Sequence, residues 1–375
     1  MNKIEKVDRS IDRSDNFSNQ QPATSNQHKA YIYILRIIAC LMVIFNHTNE
    51  RGFSRYATSN YDVGSASWTM STFMSISCKA AVYIFFMISG ALLLGKQESI
   101  KKTYSRLIKF VVDMLVFSSI YFGIECYNSG YEFNLEFIRQ NIIAGSYWHL
   151  WYLYAHIALI LSLPFLRDFA RNLSLENWKL MYAFAVIITG ILPIIEQYQV
   201  INGSLKISWI TTSIVIYPIT GYVLDNKIEI TSITIYKIIK LWLINTMAFG
   251  ISLVTEYYYI NANPGDFTET YLTLFVLVNA SVIFITAKYV AMRVNFRPVV
   301  SKLISEMGKL TFGIYLLHIL ILWKIPQCYS FWIAHFESGN IKSHIGVYGT
   351  CVAVFLICAI IVAILKKLPL IRKII

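Results

Sequence analysis

The fold class this sequence predicts is an all-α polytopic membrane protein, a bundle of about ten transmembrane helices with both termini in the cytoplasm. Three observations predict it. Of the 375 residues, 56% are apolar and only 14% are charged, whereas soluble domains carry about 25% charged residues. Beyond the first thirty residues, apolar runs recur to the end of the chain, each long enough to cross a bilayer. The net charge of +12 is gathered in alternate loops, as the positive-inside rule places it on a cytoplasmic face.

Residues 1–28 are rich in Ser, Asn, Gln and charge and lack apolar periodicity, so they form a disordered cytoplasmic tail. This stretch is not a signal peptide: the first apolar run contains Arg36 and no small-residue cleavage site follows. The membrane domain covers 29–366, and residues 367–375 form a basic cytoplasmic tail. Spans are expected at 29–48, 70–95, 105–125, 147–166, 178–196, 206–224, 236–258, 270–292, 308–325 and 344–366. The first tail, the loop from Lys96 to Lys109, the loops near Arg167, Lys227 and Arg293, and the C-terminus hold most of the basic residues. The intervening loops hold Arg51, Arg55, Arg139, Lys206, Lys342 and Lys324. No loop exceeds about 22 residues, too few for a folded soluble domain, so chemistry is expected in or at the membrane. Topology accounts for the basic excess, and nucleic acid is not expected as a partner. The six cysteines show no CxxC or Cys/His ligand spacing and are expected to pack rather than bind metal or form disulfides. Phosphate loops, HExxH and GxSxG are absent.

Ionisable residues within spans carry the remaining information, because each is costly unless it is paired, snorkelling or facing water. In YIYILRIIACLMVIFNHT, Arg36 and His47 stand eleven residues apart, almost three whole turns, so they share a face and differ in depth by roughly 16 Å. Snorkelling alone explains Arg36 in part, and an interfacial position alone explains His47; two such residues on one apolar face favour function. Lys79 lies near mid-membrane and is expected to face the bundle interior. Ser89-Gly90, at the depth of Arg36, offers a notch for close helix packing. Asp113, four residues after Lys109, suggests a local ion pair. Glu125 and Glu256 end outward-running spans near the depth of His47, where either could orient its imidazole. His149 and His156 share a face, and Thr311, Tyr315 and His318 form an i, i+4, i+7 stripe that more often serves as helix glue than as an active site.

Four motifs, in order, resemble those of the membrane-bound acyltransferase family 3: Arg36-x2-Ala39-x3-Val43-x3-His47, FFMISGALL at 85–93, HLWYL at 149–153 and FGIYLLH at 312–318. The resemblance runs from about residue 30 to 366. Within that family the chain looks most like the stand-alone O-acetyltransferases of bacterial surface polysaccharides, such as that of enterobacterial common antigen. Where the family often has Asp three residues before the arginine, this chain has Tyr33. The resemblance implies an O-acyltransferase of the plasma (inner) membrane that moves an acyl group, usually acetyl, from acyl-CoA to a hydroxyl of a surface glycan or its lipid-linked precursor. The implied donor substrate is acetyl-CoA, with no metal; membrane lipid surrounds the protein.

Such chemistry needs a base for the hydroxyl proton and a stabilised oxyanion. His47 is expected as general base or transient acyl carrier, since its ordinary pKa lies close to operating pH. The resemblance places Arg36 on the donor side as the second catalytic residue. Ser89-Gly90 would pass a slender pantetheine arm, and Lys102 and Arg106, with Lys101 and Lys109, would hold donor phosphates. Lys79, Glu125, His149, Trp151, Glu256, Tyr315 and His318 are expected in support. The main rival is a transporter or flippase of polysaccharide or lipid-linked sugar, which buried charge within ten spans would also suit. The spacing of Arg36 and His47 in the first span speaks against the lipid-modifying membrane-bound O-acyltransferases.

Overall fold

The computed structural model describes residues 25–48, 62–130, 132, 134–137, 148–197, 215–263, 273–324 and 341–369. Most of the expected tail, the loop 49–61, residues 206–214 of the expected sixth span and residues 370–375 lie outside these. Among the described residues the regular structure is helical. Nine segments of the described residues are long and apolar enough to cross a membrane.

Helix α1, Ser25–Thr48, starts four residues ahead of the expected span. The second span divides into α2, Ala66–Cys78, and α3, Ala81–Leu93. Helix α4, Ile100–Ser129, stops at Gly130, whose positive φ of 70° is the left-handed cap that glycine allows. A 3₁₀ turn at Trp148–Leu150 leads into α5, Trp151–Asn172. Helix α6, Leu175–Val186, continues through a π-helical turn, Ile187–Ile191, into α7, Leu192–Gln197. Helix α8, Ile216–Asn226, is the described part of the expected sixth span, and is buried along almost its whole length. Helices α9, Ile235–Ala262, α10, Val276–Arg293, α11, Pro298–Lys324, and α12, Ile341–Leu365, complete the bundle. The Ser65, Ser174 and Thr234 side chains cap α2, α6 and α9 by accepting from the backbone three residues on, at 3.2, 3.1 and 3.4 Å.

The outer helices carry apolar side chains outward as well as inward. Phe165 is 78% exposed, Met247 69% and Ile360 62%, the all-round apolar character of helices that face lipid. The five described cysteines are free and buried, packed as expected.

Helix α1 is the centre of the bundle: α11, α10, α3, α12 and α2 all pack around it. Small residues let two of these contacts close tightly. A Cβ on Gly308 would stand 2.6 Å from the Tyr33 side chain, so α11 approaches α1 closely at Tyr33. Between α3 and α8 the fit is reciprocal. A Cβ on Gly90 would meet the Pro218 carbonyl oxygen at 1.8 Å, and one on Gly221 would meet that of Met87 at 2.0 Å.

Contacts at the helix ends gather one face of the bundle. Tyr31, near the start of α1, donates to Asp225 Oδ1 at the end of α8 at 2.6 Å. Lys227 donates to the Leu173 carbonyl, and Lys366 to that of Lys309 at 2.8 Å. The start of α1 and the end of α12 therefore lie on the same face, together with the basic loops.

Candidate functional site

The last turn of α1 presents His47 to two further imidazoles from distant parts of the chain. Its ring centre is 5.0 Å from that of His318 on α11 and 6.2 Å from that of His149 in the 3₁₀ turn before α5. His149 and His318 complete the triangle at 5.7 Å. His318 is 0% and His149 1% exposed, while His47 is half-buried.

Tyrosines pin the backbone around this triangle. Tyr315 donates its hydroxyl proton to the His149 carbonyl at 2.7 Å, and Tyr121 of α4 donates to the Leu316 carbonyl at 2.8 Å. The Tyr121 ring lies edge-on to His149 at 4.4 Å. His318 Nδ1 is 2.6 Å from the Tyr315 carbonyl. A carbonyl only accepts, so that nitrogen carries the proton. The i, i+4, i+7 stripe on α11 thus joins helices, as glue would, and also carries one of the three imidazoles.

A helix break lies beside the cluster. Between α2 and α3 the chain turns at Lys79-Ala80, freeing the carbonyls of Ser77 and Cys78. Two asparagine amides donate to them: Asn279 to Ser77 at 2.9 Å and Asn46 to Cys78 at 2.8 Å. Asn279 in turn accepts from buried Asn245 at 3.3 Å. Re-satisfying broken backbone in this way is what a membrane interior demands. Half-buried Lys79 sits at the break, and its charge acts on His47. Sequence reasoning missed Asn46, Asn245 and Asn279; asparagines inside apolar runs were the available signal.

Three turns along α1, half-buried Arg36 lies within electrostatic reach of Tyr33 and Tyr152. Tyr152 reaches both the Ser89 side chain and His156 Nδ1, the latter at 3.3 Å. Ser89 and Arg36 thus share Tyr152 as a neighbour. Gly90 points elsewhere and opens no passage: its notch is filled by the Pro218 backbone, so close helix packing is the reading that describes it. His156 stays with this lower group, against Phe110 at 4.4 Å and Phe86 at 6.4 Å.

The basic residues expected to hold donor phosphates are engaged by a carboxylate. Glu98, in the loop after α3, is 6% exposed and pairs with Lys102 at 3.5 Å, with Arg167 at 3.0 Å and, through both oxygens, with Arg106. Hydrogen bonding from Arg106 chiefly, with the neighbouring charges, pulls the Glu98 carboxyl down to about 2. Arg167 also donates to the Leu93 carbonyl at 3.0 Å. The cluster clamps α3, α4 and α5 together, so Arg106 is not a free phosphate ligand; Lys102, 63% exposed, keeps its head in solvent.

Of the other expected supporting residues, Glu125 stands one turn beyond Tyr121 on α4, Glu256 lies on α9 and Trp151 opens α5. Half-buried Glu125 makes no hydrogen bond or ion pair among the described residues. Glu256 is buried on α9, whose main partners are α2 and α10 rather than α1. Trp151 faces outward, 45% exposed. Asp113 is 1% exposed and its Oδ2 has no hydrogen-bond partner among the described residues, while Lys109, four residues before it, acts on it through charge. Among the described residues no group of three or more His, Cys, Asp or Glu is arranged to hold a metal.

Comparison with curated proteins and with solved structures returned no match. The model of an acyltransferase domain, that of acyltransferase family 3, matches residues 29–363, and that span includes Arg36 and His47 and nearly all of α1 and the helices packed around it. The chain is a multi-pass membrane protein that belongs to acyltransferase family 3.

Proposed function

We propose that this protein transfers an acyl group, most simply acetyl, from acyl-CoA to a hydroxyl of a cell-surface polysaccharide or its lipid-linked precursor. In this reading it acts in the inner membrane with both termini cytoplasmic, like the O-acetyltransferase of enterobacterial common antigen. The single observation that carries the reading is the placing of His47. It stands on the central helix beside two buried imidazoles, three turns from an arginine on the same helix face.

Transfer balances as follows. The acceptor hydroxyl oxygen attacks the thioester carbonyl carbon while its proton passes to a His47 ring nitrogen. The carbon–sulfur bond then breaks, and the thiolate leaves with the proton that His47 held. Arg36, which shares Tyr152 as a neighbour with Ser89, sits where a donor entering from the basic face passes, and its planar fork suits the amide and phosphate oxygens of that donor. Lys79 lies within electrostatic reach of His47 and supplies positive charge where the tetrahedral oxyanion develops.

The test is His47→Ala, read as base-labile acyl ester on the surface glycan and as incorporation from labelled acetyl-CoA. The expected result is loss of transfer with folded protein retained in the membrane. Full activity in that variant overturns the assignment, and ester content unchanged when the protein is removed overturns the acyltransfer reading as a whole.

A further inference from the structure

The His318 ring is oriented more rigidly than helix packing requires. It is 0% exposed, and its Nδ1 is committed to the Tyr315 carbonyl at 2.6 Å. The proton therefore resides on Nδ1, and Nε2 of the neutral ring is a bare lone pair. That lone pair has no hydrogen-bond partner among the described residues. Burying an unpaired acceptor costs about 1–3 kcal/mol, and buried polar groups are overwhelmingly paired. Several buried polar atoms among the described residues share this state, and this one belongs to a ring that stands beside a second imidazole.

The nearest imidazole is that of His47, 5.0 Å between centres and tilted by 44°; His149 is farther, at 5.7 Å, and perpendicular. The helix bearing His318 is also fixed against α1. Cys40 Sγ is 3.8 Å from the Thr311 carbonyl, Tyr33 lies against Gly308, and the Tyr121 and Tyr315 hydroxyls bind carbonyls on either side of the site. A ring whose only purpose was to fill space would need neither a fixed tautomer nor this pinning.

Resting on the reading of His47 as the transfer histidine, we propose that His318 is its positioning residue. His318 Nε2 accepts a hydrogen bond from one His47 N–H as the acyl group is transferred. That bond fixes the His47 tautomer and leaves the other ring nitrogen bare toward the acceptor hydroxyl. The hydroxyl proton then goes to that bare nitrogen, the resulting imidazolium is held by His318, and the same proton leaves with the thiolate. An imidazole acceptor does this without adding a negative charge that Lys79 would capture.

The test compares His318→Met with His318→Gln, two side chains of similar length of which only glutamine offers an acceptor oxygen. Full-length protein in membranes is assayed with labelled acetyl-CoA and de-esterified envelope glycan, alongside wild type and His47→Ala. The expected result is a kcat about 100-fold lower for the methionine variant, with KM for acetyl-CoA within about twofold, and recovery of about tenfold by glutamine. A methionine variant with kcat within about threefold of wild type, a loss confined to KM, or a glutamine variant no better than methionine overturns the proposal. If the methionine variant fails to insert, the glutamine variant decides, and a kcat there more than about 100-fold below wild type overturns it. An active His47→Ala sinks the underlying reading of His47, whereas a dead His47→Ala beside an active His318→Met sinks only the role of His318.

Discussion

The two ends of the bundle hold their ionisable residues by opposite means. At the basic face, Glu98 gathers Lys102, Arg106 and Arg167 from two helices into an ion-pair cluster. Around His47, the contacts that fix the imidazoles are aromatic edges and neutral hydrogen bonds to backbone carbonyls, from Tyr315 to His149, Tyr121 to Leu316 and His318 to Tyr315. The difference teaches what each end is for. Opposite charges in contact satisfy one another and lock helices, leaving little reactivity. Around His47 one ring nitrogen, His318 Nδ1, is engaged by a neutral bond to a carbonyl, and the other nitrogen of that ring has no hydrogen-bond partner among the described residues. Charge density alone is thus a poor guide to where this chain does chemistry.

The comparison can be broken from either side. The largest effect is expected from Glu98→Ala, which leaves Arg167, 6% exposed, without its counter-charge. The cluster is partly open to solvent, so the cost falls below the about 3–5 kcal/mol of a fully buried pair, and the thermal midpoint in detergent should fall by several degrees while kcat of the surviving protein stays within about threefold. A large loss of kcat at unchanged stability would move the reactive site to the basic face.

Tyr315→Phe is expected to act in the reverse sense. It deletes the donor to the buried His149 carbonyl, a loss of about 1–3 kcal/mol, and it loosens the imidazole triangle, so kcat should drop about tenfold with little change in KM. An unaltered kcat would show that the tyrosine serves packing alone.

The smallest effect concerns pH. The Glu98 carboxyl is depressed to about 2, so its stabilising contribution is fully present above the ordinary glutamate pKa of about 4.3 and is lost as pH falls toward the folded value. The wild-type thermal midpoint should decline more steeply across that window than that of Glu98→Gln. Parallel declines would show that the cluster is not coupled to stability.

Much of this could be read before any tertiary contact was known. Apolar run lengths predicted a polytopic helical protein, and nine helices among the described residues are long and apolar enough to cross a membrane. The helical repeat put Arg36 and His47 on one side of one helix. What could not be read was which distant residues complete the site. Glu125 and Glu256 have a suitable depth and a suitable charge for orienting an imidazole, but the ring contacts to His47 come from His149 and His318, in distant parts of the chain. Depth is a local property of a span, while azimuth between spans depends on how every helix packs. Gly90 shows the same limit: the sequence marks a notch, and only the Pro218 backbone occupying it says what the notch receives. Arg106 is a third case, since nothing local to its helix announces that Glu98, eight residues earlier in a loop, holds it.

By itself, the sequence determined a membrane composition, the span pattern, the shared face of Arg36 and His47, and through its motifs the family. Those properties follow from hydrophobic run length and a period of 3.6 residues, which are local. Tertiary structure alone decided that α1 is the central helix, that three imidazoles converge within 6.2 Å of one another, and that the span break at Lys79 is closed by Asn46 and Asn279. The physical reason is that a membrane interior supplies no water to satisfy polar groups. Each buried donor and acceptor must find its partner across helices, and that choice is made only when all of them pack together.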